Sequence, residues 1–257
     1  MKFENILVEP DAESEGGVVV ITLNRPESLN AMSRALVREL AKALAAIDEE
    51  QKARAVVMVG SGNKAFSAGG DIHEMANSTP EELAHGAKMI SEFGWYLANF
   101  RLPTIGAING LAYGGGAFLA AALDIRIGCE RTRFRYLGAQ YGRLNSTWSL
   151  SQIVGTAQAK ELLFSARVVQ AEEAARMGLL NHLVPQAKVL ETALELARQI
   201  AKNPPEMVQG AKQLLHQYVG DDWEAMFRAE REAVTTRLKP TPVSEAFAGF
   251  LGRKGRG

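Results

Sequence analysis

Ala65-Phe66-Ser67-Ala68-Gly69-Gly70-Asp71-Ile72 is the stretch on which the fold turns. It follows Ala55-Val56-Val57-Met58-Val59, a short continuous apolar run suited to a strand buried on both faces, closed by Gly60-Ser61-Gly62-Asn63. A second glycine-centred segment, Asn109-Gly110-Leu111-Ala112-Tyr113-Gly114-Gly115-Gly116-Ala117, has the same setting. It comes after Thr104-Ile105-Gly106-Ala107-Ile108, which reads as a strand, and before Ala117 to Ala122, which can form a helix. Glycine at such junctions lets the backbone take unusual dihedrals and approach a ligand closely. A helix start also presents free backbone N–H groups with the positive end of the helix dipole behind them. Such a junction suits the stabilisation of developing negative charge.

Outward from these segments, the pattern alternates strands with helices. Val18-Val19-Val20-Ile21-Thr22-Leu23 is β-branched and ends at the turn Asn24-Arg25-Pro26. Leu36, Val37, Leu40, Leu44 and Ile47 repeat at helical spacing. Thr79-Pro80-Glu81-Glu82 is a capping box that should open a helix running to about Asn99. Leu123-Asp124-Ile125-Arg126-Ile127 alternates, as a half-exposed strand would. After Gly155 the pattern reads as helical to the end, with Ala171 to Met177 a helix that Gly178 can terminate. Met207, Ala211, Leu214, Leu215 and Tyr218 mark a later amphipathic stripe. The expected class is α/β with a helical C-terminal part.

Composition narrows the function. Apolar residues are 47% of 257, within the globular range. Lys+Arg equals Asp+Glu, so there is no global attraction to nucleic acid or anionic lipid. Neither a nucleic-acid nor a membrane partner is expected. Met1 to Pro10 carries acids and no apolar run, so neither a secretory nor a transit signal is expected. Leu111 to Leu123 is too short for the ~20 apolar residues of a membrane span. A single cysteine, Cys129, forms no intrachain disulfide and reads as a small core residue in a cytoplasmic protein. His73, His85, His182 and His216 are scattered, and no metal-ligand spacing, phosphate loop or serine-nucleophile elbow is present. No metal is expected.

Both glycine segments resemble the signature loops of the enoyl-CoA hydratase/isomerase (crotonase) superfamily. Further matches follow in the family's order: Leu23 to Pro26 through Leu29 to Met32, Pro103 to Gly110, Leu123 to Ile127, and then Ala159 to Phe164, Ala171 to Gly178 and Leu180 to Pro185. The resemblance covers essentially the whole chain. It implies a crotonase (ClpP-like) fold, with a repeated ββα spiral core over residues 1–200. A C-terminal helical trimerisation region would occupy residues 201–257. It implies a homo-oligomer, a trimer or a dimer of trimers, acting on an acyl-CoA substrate. No separate cofactor is implied, since coenzyme A is part of the substrate. By position, the backbone N–H groups of Gly70 and Gly115 would form an oxyanion hole for the thioester oxygen. Coenzyme A would lie against Ala68, Asp71 and Ile72, with Ser28, Leu29 and Ala31 lining the same groove. His73 sits where relatives often place a cation near the phosphates. Phe250, Arg253 and Lys254 resemble residues that touch coenzyme A of a neighbouring subunit.

The chain also departs from the family pattern. Typical hydratases carry two glutamates, and the matching positions here are Phe118 and Gly138. A positioned general acid–base contributes roughly 10²–10⁴-fold, so ordinary hydration should be slow. The expected reaction is therefore non-standard, hydratase/isomerase-like or decarboxylase-like; an oxyanion hole alone still supports decarboxylation of a malonyl-type thioester, in which loss of CO₂ itself generates the enolate. Tyr136, Gln140 and Tyr141 are expected to face the acyl pocket, with Arg143 and Asn145 behind them. Phe118 is expected to line it. Asp124 reads as structural and Glu130 as part of a solvated turn. The alternative is a catalytically inactive acyl-CoA-binding paralogue.

Overall fold

The computed structural model describes residues 2–14, 17–218, 223–236 and 242–252. Its strands are β1 (Ile6–Pro10), β2 (Val18–Leu23), β3 (Ala55–Gly60), β4 (Ala65–Ser67), β5 (Thr104–Ile108), β6 (Leu111–Tyr113), β7 (Ile125–Gly128), β8 (Arg133–Arg135), β9 (Val169–Gln170) and β10 (His182–Leu183). Six form one sheet in the order β1-β2-β3-β5-β7-β10, and four form a second in the order β4-β6-β8-β9. Successive strands alternate between the sheets: β3, β5 and β7 run parallel in the first, β4, β6 and β8 run parallel in the second, and β9 joins β8 antiparallel. Each pair is followed by helix, which generates a ββα spiral. Every turn of that spiral leaves the second sheet at one edge, so the strand–helix junctions of successive turns come to lie side by side.

Five helices position the junctions: α1 (Arg34–Glu50), α2 (Ile72–Ala76), α3 (Pro80–Ala98), α4 (Gly115–Ala122) and α5 (Thr147–Val154). Then come α6 (Thr156–Ser165), α7 (Ala171–Arg176), α8 (Val189–Ala201), α9 (Pro205–Tyr218), α10 (Trp223–Thr236), α11 (Val243–Ala246) and α12 (Ala248–Leu251). In α1 the buried positions Leu36, Val37, Leu40, Ala43, Leu44 and Ile47 fall on one face. Ser33 caps the helix by accepting from the Leu36 N–H. The Thr79–Glu82 capping box forms in both directions, and α3 ends before Asn99, as expected. Strand β3 is buried throughout, and its alternate side chains enter two cores. Val56 and Met58 join the main core of α1, α3 and α4, while Val57 and Val59 pack toward Val189, Ala193 and Ala197 of α8.

Two expectations need correction. The chain after Gly155 is not purely helical, because β9 and β10 close the edges of the two sheets. Both are two residues long, too short for a period-two pattern to register. Strand β7 is also not half-exposed: it lies between β5 and β10, and Arg126 is only 4% exposed. That guanidinium bonds the carbonyls of Leu179 at 2.8 Å and Leu123 at 2.5 Å, with a 3.4 Å contact to Ala120. Leu123 and Ala120 are at the C-terminal end of α4, where a cation is favoured by both free carbonyls and the helix dipole. Asp124 is structural: it accepts from the Thr104 N–H and hydroxyl, and pairs with Lys212 of α9 at 2.7 Å. Among the described residues no helix is long and apolar enough to cross a membrane.

Candidate active site at two glycine bends

The first bend lies between β4 and α2. Gly69 has φ +104, and a methyl group built on it would come within 2.6 Å of the Tyr113 carbonyl oxygen. Both facts restrict this position to glycine. Gly70 forms an isolated parallel bridge with Met32. The Met32 N–H donates to the Gly69 carbonyl at 2.7 Å, and the Asp71 N–H donates to the Met32 carbonyl at 3.3 Å. In this parallel pattern the bonds use the groups flanking Gly70, so its own N–H points to the opposite side.

The second bend lies between β6 and α4. Gly114, at φ +48, is the N-cap, and Gly115 is the first helical residue. The Phe118 N–H makes the first helical bond, to the Gly114 carbonyl, and the Gly115 N–H is one of the amides that a helix start leaves without a partner. A methyl group on Gly115 would lie 3.3 Å from the Gly70 nitrogen, and one on Gly69 would lie 3.1 Å from the Gly115 nitrogen. Neither the Gly70 nor the Gly115 N–H has an acceptor among the described residues. The Sδ atoms of Met32 and Met75 stand beside Gly115 and Gly70 respectively. The result is a pair of neighbouring amide donors, walled by thioethers and backed by the α4 dipole.

A polar framework fixes the first bend. Asn30 is fully buried, with φ +57. Its amide donates to the Ser61 and Ala65 carbonyls, both at 3.0 Å, and its Oδ1 accepts from the Arg25 N–H. The Ser67 hydroxyl donates to the Asn30 carbonyl at 2.8 Å, and the Ala68 N–H to the Leu29 carbonyl at 2.9 Å. Ser28 turns its hydroxyl back to the Arg25 carbonyl. Asp71 caps α2 and pairs with Arg25 at 3.0 Å. Burial pushes the Asp71 carboxyl up, but the Glu74 N–H and Arg25 together outweigh it and hold the group below its ordinary value. Glu74 is tied to Arg34. A cavity of 160 Å³ opens beside this framework, lined in part by Pro26, Leu29, Asn30, Lys64 and Ala65. Ala31 is buried, Ile72 half-buried and His73 exposed on α2.

Phe118 is packed in hydrocarbon. Phe118 is 4% exposed, and its ring meets Trp148 edge-on at 6.3 Å. It passes so close to α3 that a methyl group on Gly94 would overlap the ring. Trp95 and Phe227 complete this aromatic cluster. At Gly138 a methyl group would lie 3.0 Å from the Arg143 carbonyl oxygen, and the Arg143 N–H closes the turn onto the Gly138 carbonyl at 2.8 Å. The Arg143 carbonyl and the Asn145 side chain thus fill the room a longer side chain would need.

Tyr136 is 1% exposed, and its hydroxyl has no partner among the described residues. Burial pushes that hydroxyl well above the usual phenol value, with the nearby Arg126 charge opposing. Gln140 is exposed and accepts from Arg135 at 2.9 Å, so its amide is committed at the surface. Tyr141 stacks on Phe247 at 4.4 Å and 17°. Phe247 terminates α11, which packs on α2. The side chain of Phe250, and Arg253 and Lys254 entirely, lie outside the described residues. The sequence reading missed Asn30, Met75 and Phe247. The first was visible only as part of Leu29 to Met32, and the other two carry no local signal at all.

Residues 13–255 match the family model described as enoyl-CoA hydratase/isomerase. The chain belongs to this family. It is 32% identical to the short-chain-enoyl-CoA hydratase of Clostridium acetobutylicum over 258 residues, covering 99% of this chain and 97% of that protein. The crystal structure of an enoyl-CoA hydratase/isomerase from Xanthobacter autotrophicus Py2 superposes with a TM-score of 0.87 at 29% identity, over 99% of this chain and 95% of that one. The enoyl-CoA hydratase of Bacillus anthracis superposes with a TM-score of 0.78 at 33% identity, over 96% of both chains. The fold of this enoyl-CoA hydratase/isomerase family member is therefore the crotonase fold. The family assignment carries with it an enzyme acting on acyl-CoA thioesters.

Proposed function

We propose that the Gly70 and Gly115 amides form an oxyanion hole for a thioester enolate, and that the reaction differs from simple hydration. The observation that carries this reading is the pair of adjacent N–H groups left without acceptors. A thioester carbonyl oxygen seated between them gains negative charge as a bond to Cα breaks, and each donor is worth roughly 2.7–4 kcal/mol in the transition state. Ala68, Asp71, Ile72, Ser28, Leu29 and Ala31 form the coenzyme A side, with His73 at its rim. No further cofactor enters.

Phe118 and the filled space at Gly138 supply no carboxylate to activate water. Decarboxylation fits this arrangement. The Cα–carboxylate bond breaks, CO₂ leaves, the electron pair spreads onto the thioester oxygen, and a proton then returns to Cα. In this reading Tyr136 and Tyr141 serve the acyl side, a tyrosine hydroxyl being the candidate proton donor, while Gln140, held at the surface by Arg135, takes no part. Assays with crotonyl-CoA and methylmalonyl-CoA test it: CO₂ release without fast hydration is expected, and rapid hydration of crotonyl-CoA overturns it.

The same hydrocarbon packing favours a second reading, an acyl-CoA-binding paralogue without turnover. Tight binding with no product from any thioester would establish it. We also propose that residues 201–257 assemble the chain into a trimer or a dimer of trimers in the cytoplasm. Met207 and Leu215 of α9, 66% and 64% exposed in the protomer, support a covered surface there. Light scattering that returned the monomer mass of 27.9 kDa would refute the assembly.

A further inference from the structure

Arg143 is a half-buried cation without a counter-charge among the described residues. Its Nε is buried and has no hydrogen-bond partner among the described residues. Among the described residues no carboxylate pairs with it, and its guanidinium lies over the face of the Phe247 ring, 5.6 Å from the centroid. Other half-buried or buried arginines have partners. Arg25 pairs with Asp71, Arg34 with Glu74 and Arg198 with Asp11, while Arg126 is satisfied by carbonyls. An enclosed guanidinium is costly unless paired, and burial already pushes Arg143 below the ordinary arginine value.

Its surroundings connect it to the glycine amides. Arg143 ends the turn that starts at Leu137, and the Leu137 side chain lies against Gly114, where a methyl group would be 3.8 Å from its Cδ1. On the other side Arg143 and Tyr141 share the Phe247 ring. Phe247 belongs to the end of α11, and α11 packs on α2, the helix that begins just after Gly70. The 137–143 turn therefore bridges the two segments that carry the amides.

We propose that Arg143 receives a carboxylate on the acyl group, so that the preferred substrates are thioesters of dicarboxylic acids. This deepens the acyl-CoA reading above and rests on it. A guanidinium offers a carboxylate two parallel N–H donors, and stacking on an aromatic face leaves its in-plane donors uncommitted. The phosphates of coenzyme A present the same anionic chemistry, and the test separates the two sources.

Titration calorimetry with succinyl-CoA, butyryl-CoA and free coenzyme A, on wild type, Arg143→Gln and Arg143→Lys, decides it. Wild type should bind succinyl-CoA at least about tenfold more tightly than butyryl-CoA. Arg143→Gln should erase that preference by weakening succinyl-CoA far more than butyryl-CoA, while Arg143→Lys retains part of it. Equal wild-type affinity for the two thioesters overturns the proposal, and this comparison stands even if a variant fails to fold. Equal weakening of all three ligands by Arg143→Gln overturns it in favour of a phosphate contact. If wild type binds none of the three, the acyl-CoA reading itself falls, and this inference with it.

Discussion

Gly115 begins α4 so close to Gly70 that a methyl group on it would sit 3.3 Å from the Gly70 nitrogen. Two backbone donors from separate turns of the spiral thereby share one small space. Neither has an acceptor among the described residues.

Gly115→Pro removes one donor at the helical position where proline is best tolerated, because N1 makes no intrahelical N–H bond. The variant should fold, and kcat/KM toward any thioester that is turned over should fall about 10²–10³-fold. Circular dichroism alongside steady-state kinetics checks this. Unchanged kcat/KM in a folded variant would remove Gly115 from the chemistry.

Phe118→Glu should not restore hydration. The side chain sits among Trp148, Trp95 and Phe227, and a carboxylate there is unpaired and leaves a void. A loss of about 3–5 kcal/mol is expected from urea unfolding. A stable variant with a large gain in crotonyl-CoA hydration would show that the cluster adapts more readily than its packing suggests.

Asp11 and Arg198 tie the β1–β2 turn to α8 through two hydrogen bonds of 2.8 Å. The Arg198 bond holds the Asp11 carboxyl below its ordinary value of 3.8, so the unfolded chain binds that proton more strongly. The stabilisation is complete above pH 3.8 and is lost as pH falls through the lower folded-state value. Asp11→Asn should therefore cost about 1.5–3 kcal/mol at pH 7. The gap from wild type should close below pH 3.8, as followed by denaturant midpoints across pH. A gap that persists in acid would place the effect in packing instead.

Lys212 holds α9 to the core by donating to the Leu102 carbonyl at 3.1 Å and to Asp124. Lys212→Met should cost about 1–3 kcal/mol, while Asp124 keeps both Thr104 donors. Amide exchange should rise in 205–218 with little change in β3. Uniform loss of protection would mean that α9 and the core unfold as one unit.

Much of the scaffold was legible in the residues themselves. Helical spacing located α1, apolar and β-branched runs located β2, β3 and β5, and a capping box located the α3 start, each a signal carried by neighbouring residues. The short strands β4 and β6 are three residues each, and their neighbours in space supply the pairing that sequence cannot display. Arg126 reversed the expected alternation because three carbonyls, not solvent, satisfy it.

By itself, the sequence determined the alternation of elements, the family resemblance and the two places where only glycine suits the backbone. Those are local properties, set by side-chain size, polarity and dihedral freedom. Tertiary structure decided which way the Gly70 amide points, what fills the room beside Phe118 and Gly138, and that Arg143 is half-buried with no acid beside it among the described residues. Each depends on segments distant in the chain meeting in space, and the energy of a donor or a charge is set by what it meets there.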